Sequence, residues 1–313
     1  MRSIHLIISI TLLLTVLQPA HAQDNQAVRE AVGSYMQTIR EKGYSPLTPK
    51  VLKETNESEA LLREIGPYCR DSLQKIRYGA YYLFYRTGSK SSDREYKTEA
   101  VHHLLAGCKD EAISLRGNCA KWLTVFYKDD FNAEAHTQLF QLLRQGTAHY
   151  DKLLLLAGYV QPPGIKDSIQ TQLLQRKLPS KIKWAAYLAL ARCGDSEAIS
   201  YIQEKAASLQ VNDSYMYVLL PDLIYTRQKA LFDKLIAILM SNEKNCRSAD
   251  PDNEVPILCG YRVMEALAPV IKDFPIPTDQ DGDIVSDDYR LALKKCREYF
   301  RINLNYSIKT NRY

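Results

Sequence analysis

SKIKWAAYLALARCGDSEAISYIQEKAASL, residues 180–209, decides the fold. Ile182, Ala185, Ala186, Ala189 and Leu190 recur at one, three and four residues, so they share one face of a helix. Cys193-Gly194-Asp195 then breaks the pattern. Gly194 suits the left-handed backbone that closes a helix, and the Asp195 carboxylate can accept from the first unpaired N–H groups of the next one. Ala198, Ile199 and Ile202 mark a face of that second helix. The stretch reads as an antiparallel helical hairpin whose small alanines permit close approach and whose remaining apolar flank needs a neighbour.

The same pattern recurs on both sides. Upstream, a helix over Leu115–Tyr127 breaks at Lys128-Asp129-Asp130, and Asn132 caps a helix carrying Ala135, Leu139, Leu142 and Leu143 that stops at Gly146. Tyr150–Val160 is followed by the turn Gln161-Pro162-Pro163-Gly164 and by a helix with Ile165, Ile169, Leu173 and Leu178. Downstream, Asp213–Tyr225 pairs with Lys229–Met240. Equivalent first-helix positions near Ala80, Ala120, Leu155, Ala186, Leu219 and Val263 lie 40, 35, 31, 33 and 44 residues apart, a spacing that belongs to helix-pair solenoids. Alternating strand text is missing, and only 13 glycines occur in 313 residues, so an all-α chain is expected.

With Ala189-Leu190 followed by Gly194-Asp195-Ser196-Glu197-Ala198-Ile199, the hairpin resembles a HEAT repeat. The resemblance covers roughly Pro67 to Pro275. It implies a right-handed α-α superhelix of helix pairs that offers a concave surface to a protein partner, and it implies no catalytic residues.

The ends read differently. Arg2, the apolar run Ile4–Leu17 and Ala20-His21-Ala22 form a secretory signal over residues 1–22, too short to span a bilayer, so export to a periplasmic or extracellular space is expected. An N-terminal helical segment covers 23–66, with Ala27, Val28, Ala31, Val32, Tyr35, Met36 and Ile39 on one face, Asp24 as cap and Gly43 as stop. The repeat stack covers 67–275. An acidic loop and a capping helix that begins at Ser286 cover 276–313. No later segment reaches membrane-spanning length, so no integral membrane segment is expected in the mature chain.

Composition excludes more than it assigns. Without Arg2 the chain carries 40 Lys and Arg against 36 Asp and Glu, with no block of clustered basic residues, so nucleic acid is not an expected partner. The seven cysteines show no metal-ligand spacing; Cys246 and Cys259 flank a polar loop and are the best candidates for a bridge. Asp279, Asp281 and Asp283 alternate as in a calcium loop, yet Gly282 comes too early and Arg290 stands where an EF-type loop needs its last carboxylate. They are read as a solvated acidic linker. His102 and His103 are neighbours on a helix and point about 100° apart, which argues against a shared metal. His149-Tyr150 lacks an identifiable Asn or Arg partner for proton abstraction. No metal, cofactor or catalytic residue is assigned.

Tyrosine is over-represented, with 21 against 7 Phe and 2 Trp. Tyr78, Tyr81, Tyr82 and Tyr85 crowd one helix, and Tyr215, Tyr217 and Tyr225 crowd another. An apolar ring with a polar edge suits either inter-helix packing or a wet interface, and Tyr78 and Tyr82 are the candidate binding residues. The favoured function is an exported non-enzymatic scaffold that recognises a protein or a cell-envelope polymer. The alternatives are an α/α-toroid that cleaves polysaccharide, and an envelope inhibitor or immunity protein.

Overall fold

The computed structural model describes residues 26–44, 58–175, 177–248, 255–280 and 282–313. The leader 1–22, the Asp24 cap and Asp281 lie outside them. Among the described residues the protein is predominantly helical, with one two-stranded sheet, and no helix is long and apolar enough to cross a membrane. The chain divides into two units, up to His149 and from Tyr150 onward.

In the first unit, α1 spans 26–42 and buries Val28, Ala31, Val32, Tyr35, Met36 and Ile39, the face expected from its periodicity. Gly43, at φ +83°, takes the left-handed turn that ends it, and its N–H donates to the Ile39 carbonyl. Then follow α2 (Ser58–Ile65), a 3-10 turn (Gly66–Arg70), α3 (Gln74–Gly88), α4 (Arg94–Gly107), α5 (Ile113–Trp122) and α6 (Ala133–Gln145). Asp93 caps α4 and Asn132 caps α6, each through backbone N–H groups of the first turn. Helix α4 packs on α3, on α5 and on α6. The helix expected to run to Tyr127 ends at Trp122 and continues as a 3-10 turn over Leu123–Val125.

In the second unit come α7 (Tyr150–Val160), α8 (Ile165–Gln175), α9 (Ser180–Arg192), α10 (Ser196–Ala207), α11 (Leu220–Thr226), α12 (Lys229–Met240), β1 (Cys246–Arg247), β2 (Pro256–Ile257), α13 (Gly260–Leu267) and α14 (Tyr289–Ile302). The hairpin α9–α10 forms as read: Gly194 has φ +79°, and Asp195 Oδ1 accepts from the Ala198 N–H at 2.9 Å. Helices α7, α9, α11 and α13 pack each on the next, and α10, α12 and α14 do likewise. These helix-helix contacts bury the apolar faces of the second unit. Helix α7 lies close on α9, where Gly158 faces Ala189 so tightly that a Cβ on Gly158 would stand 2.6 Å from the Ala189 Cα.

Three local departures have physical causes. Pro221 lacks the N–H that would bond the Tyr217 carbonyl, and the turn before it, Tyr215–Leu219, is wound as a π-helix rather than an α-helix. Asp288 caps α14, accepting from the N–H groups of Arg290 and Leu291, while Ser286 accepts from the Asp288 N–H one step earlier. The antiparallel pair β1–β2, unforeseen because each strand has two residues, is held by the Cys246–Cys259 disulfide, whose Cα atoms lie 5.1 Å apart. Cys69, Cys108, Cys119 and Cys296 stay thiols, and burial pushes Cys108 and Cys296 up to about 12.

Candidate functional site

On α3, Tyr78, Tyr82 and Tyr85 follow each other at four and three residues and therefore share one stripe of the helix. The structure brings all three against Trp122 at the end of α5. Tyr78 stacks on Tyr82 with centroids 6.0 Å apart and planes 14° from parallel. Trp122 lies 5.5 Å from Tyr78, 5.8 Å from Tyr82 and 5.4 Å from Tyr85, on which it stacks at 4°. Tyr78 keeps 41% of its surface exposed, and Tyr82, Tyr85 and Trp122 are half-buried. A four-ring platform with open faces follows from these contacts.

The platform is held from below. Arg77, the residue before Tyr78, points into the unit and binds Asp110 through both carboxylate oxygens, at 2.8 and 3.0 Å. Both side chains are buried, and Asp110 also accepts from the Ala112 N–H, so the pair fixes α3 against the entry to α5. The Gln74 side chain donates to Ser114 at 3.0 Å and ties the same two helices nearer the surface. Bonding to Asp110 raises the Arg77 pKa against the opposing effect of burial, so the guanidinium keeps its charge.

Beside Tyr78 and Tyr82 the surface dips into a cleft of about 700 Å³, walled by Tyr35, Ile39 and Leu115 and edged by Gln74, Lys75 and Asn118. Burial, with Tyr82 close by, raises the Tyr78 pKa, which keeps its hydroxyl a neutral donor and acceptor. At the other end Arg86 places its guanidinium 5.9 Å above the Tyr82 ring, and its Nε has no hydrogen-bond partner among the described residues. Apolar ring faces, polar edges and the nearby Arg86 and Lys75 cations leave the platform suited to a ligand with flat apolar surfaces and hydrogen-bonding rims.

No family model, curated protein or solved structure matches the chain.

Both residues singled out from sequence, Tyr78 and Tyr82, sit in this platform. Tyr81 does not: it turns inward, and a Cβ on Gly107 would meet its ring. Trp122 was missed, since sequence periodicity does not say which face of α5 meets α3. The second tyrosine run is split, with Tyr215 and Tyr225 buried and only Tyr217 exposed. His149 hydrogen-bonds the Ile113 carbonyl at 3.1 Å with its ring over Gly117, and the Tyr150 hydroxyl donates to Gln172, so each serves its own unit's packing. The Asp279 carboxylate accepts from the Asp283 N–H and closes the acidic turn.

Proposed function

We propose that the protein is an exported, non-enzymatic binding scaffold built of right-handed HEAT-like helix pairs, which recognises a protein or a cell-envelope polymer through the Tyr78–Tyr82–Tyr85–Trp122 platform. The observation that carries this reading is the clustering of four partly exposed rings on two helices clamped by a buried ion pair. Exposed rings are costly to leave in water, and Tyr and Trp are the residues on which interfaces concentrate binding energy. The packed helix pairs support the repeat reading, since such stacks hold their surface residues on rigid elements.

The test is capture of the partner from an envelope extract by the wild-type chain and by Tyr78→Ala combined with Tyr82→Ala. A drop of tenfold or more in affinity, with unchanged helical circular dichroism, is expected, because truncating a central interface ring costs about 2 kcal/mol or more. Unchanged binding would place recognition elsewhere on the molecule.

One observation favours the toroidal polysaccharide-cleaving reading. Glu99, Glu134, His102 and His103 line a second cleft of about 750 Å³ in the first unit, where His102 Nδ1 and Gln138 Oε1 are buried without partners among the described residues. Release of reducing ends from a polysaccharide, abolished in Glu134→Gln, would establish that reading in place of the scaffold.

A further inference from the structure

In the second unit, Arg290, Lys294, Arg297 and Arg301 recur on α14 at steps of four, three and four residues. Such steps keep them within one stripe, with successive cations about 4.5–6 Å apart along an axial length of about 16 Å. This stripe forms one wall of a cleft of about 830 Å³, and Lys244 lines the same cleft. Five cations thus face one acid among the lining residues, Glu298, which is engaged with Arg301 at 2.8 Å. Arg290, Lys294 and Lys244 are exposed and make no ion pair among the described residues. Arg297 is different, since its guanidinium is held by the Leu239 and Ser241 carbonyls and the Asn242 side chain, which fix its position without cancelling its charge. The rest of the lining is largely apolar: Ile257, Leu258, Tyr261 and Leu293.

We propose that this cleft binds an extended anionic polysaccharide, with one carboxylate-bearing sugar opposite each turn of α14. Charge complementarity selects a polyanion, and a linear row of cations selects one that is extended. The apolar floor selects further. A pyranose ring offers a C–H face to aliphatic and tyrosine side chains, which a bare polyphosphate does not. The repeat of a uronic acid chain is comparable with the helical pitch of about 5.4 Å that sets the cation spacing. A membrane surface fits less well, because these cations line a cleft instead of capping a flat face. Single-stranded nucleic acid would want stacking rings along its length, whereas Tyr261 is the one aromatic ring among the described lining residues.

The experiment is titration of the full chain with polygalacturonate, followed by calorimetry at low and raised ionic strength. Saturable binding that weakens with salt is expected. Arg290→Glu combined with Lys294→Glu lowers the affinity at least tenfold, whereas the charge-matched pair Lys177→Glu with Lys205→Glu, at exposed positions outside the cleft, changes it less than twofold. Because Arg290 and Lys294 have no side-chain partners to lose among the described residues, unchanged circular dichroism is expected, and Lys294→Gln provides a milder variant with a smaller loss. No binding of polygalacturonate overturns the proposal, as does equal loss in the two charge-reversed pairs. Tighter binding of polyphosphate, oligothymidylate or phosphatidylglycerol vesicles than of polygalacturonate also overturns it.

Discussion

At the scale of single residues, the glycines show how one atom sets helix spacing. Gly158 on α7 faces Ala189 of α9, and an added Cβ would also stand 2.5 Å from the Tyr225 hydroxyl. Gly158→Ala forces the two helices apart and is expected to destabilise the protein by about 1–3 kcal/mol, the usual cost of overpacking. Gly33 on α1 has nothing among the described residues within 4 Å of the position its Cβ would take. Gly33→Ala removes backbone freedom from the unfolded chain and adds no clash, so it is expected to stabilise by about 0.5–1 kcal/mol. Urea titration of both variants checks the opposite signs. Both glycines occupy helical text in the sequence, and only the packed neighbours separate them. Residue-scale features that depend on local backbone alone were legible in advance: Asn132 and Asp195 as caps, and Gly43, Gly146 and Gly194 as left-handed stops.

At the scale of elements, the disulfide hairpin and the segment after α14 are the parts that helical periodicity does not describe. Cys246 and Cys259, 13 residues apart, close a loop around the two-residue strands β1 and β2. Replacing both by serine is expected to cost about 3 kcal/mol, the loop-closure contribution for a ring of this size. Guanidinium unfolding of the double variant, beside wild type with and without reductant, measures it. After α14, residues 303–313 return along the second unit. The Ile271–Ile308 bridge, the Lys272 N–H on the Ser307 carbonyl and the Lys309 N–H on the Val270 carbonyl start the docking. Arg192 then binds the carbonyls of Thr310 and Arg312, between the rings of Tyr159 and Tyr225, and Arg227 binds those of Lys309 and Tyr313. Burial lowers both arginine pKa values, that of Arg227 to about 10 with Arg192 adding to the effect, so both remain charged at neutral pH and are stabilised by carbonyl dipoles and ring faces. Nothing in the order Asn311-Arg312-Tyr313 announces this, because the partners lie more than 80 residues away.

At the scale of the whole molecule, stability is tied to pH through half-buried imidazoles. Burial lowers the pKa of His103, which stacks on Phe84 at 4.0 Å, below its ordinary 6.5, and burial together with Lys128 lowers that of His136. Glu99 pulls His103 the other way without reversing the shift. A folded pKa below the unfolded one means that the fold prefers the neutral ring. Its contribution is complete above the unfolded value and is lost as pH falls from there through the folded one. Thermal melts are therefore expected to fall between pH 7 and pH 5, and His103→Gln should flatten that slope while lowering the melting temperature at pH 7 through lost stacking. A slope identical in the variant would assign the acid sensitivity to other groups. At lower pH, Asp71, Asp151 and Asp195, whose pKa values are lowered, lose their contributions below the ordinary carboxylate value of 3.8. Asp222, raised by burial against the Trp184 N–H, works in the opposite direction.

The sequence by itself determined the helical class, most helix starts and stops, and the shared stripe of Tyr78 and Tyr82 on one helix, because each depends on periodicity or on a cap within four residues. Tertiary structure decided which faces meet. Trp122 joins Tyr78, Tyr82 and Tyr85 across some 40 residues, Arg192 meets Thr310 across 118, and four cations that look like an ordinary solvated face of α14 become the wall of a cleft once the disulfide hairpin lies beside them. Such contacts arise from packing between elements, where side-chain volume and the rotation of each helix choose the partner, and neither quantity is written in the spacing of residues along one helix.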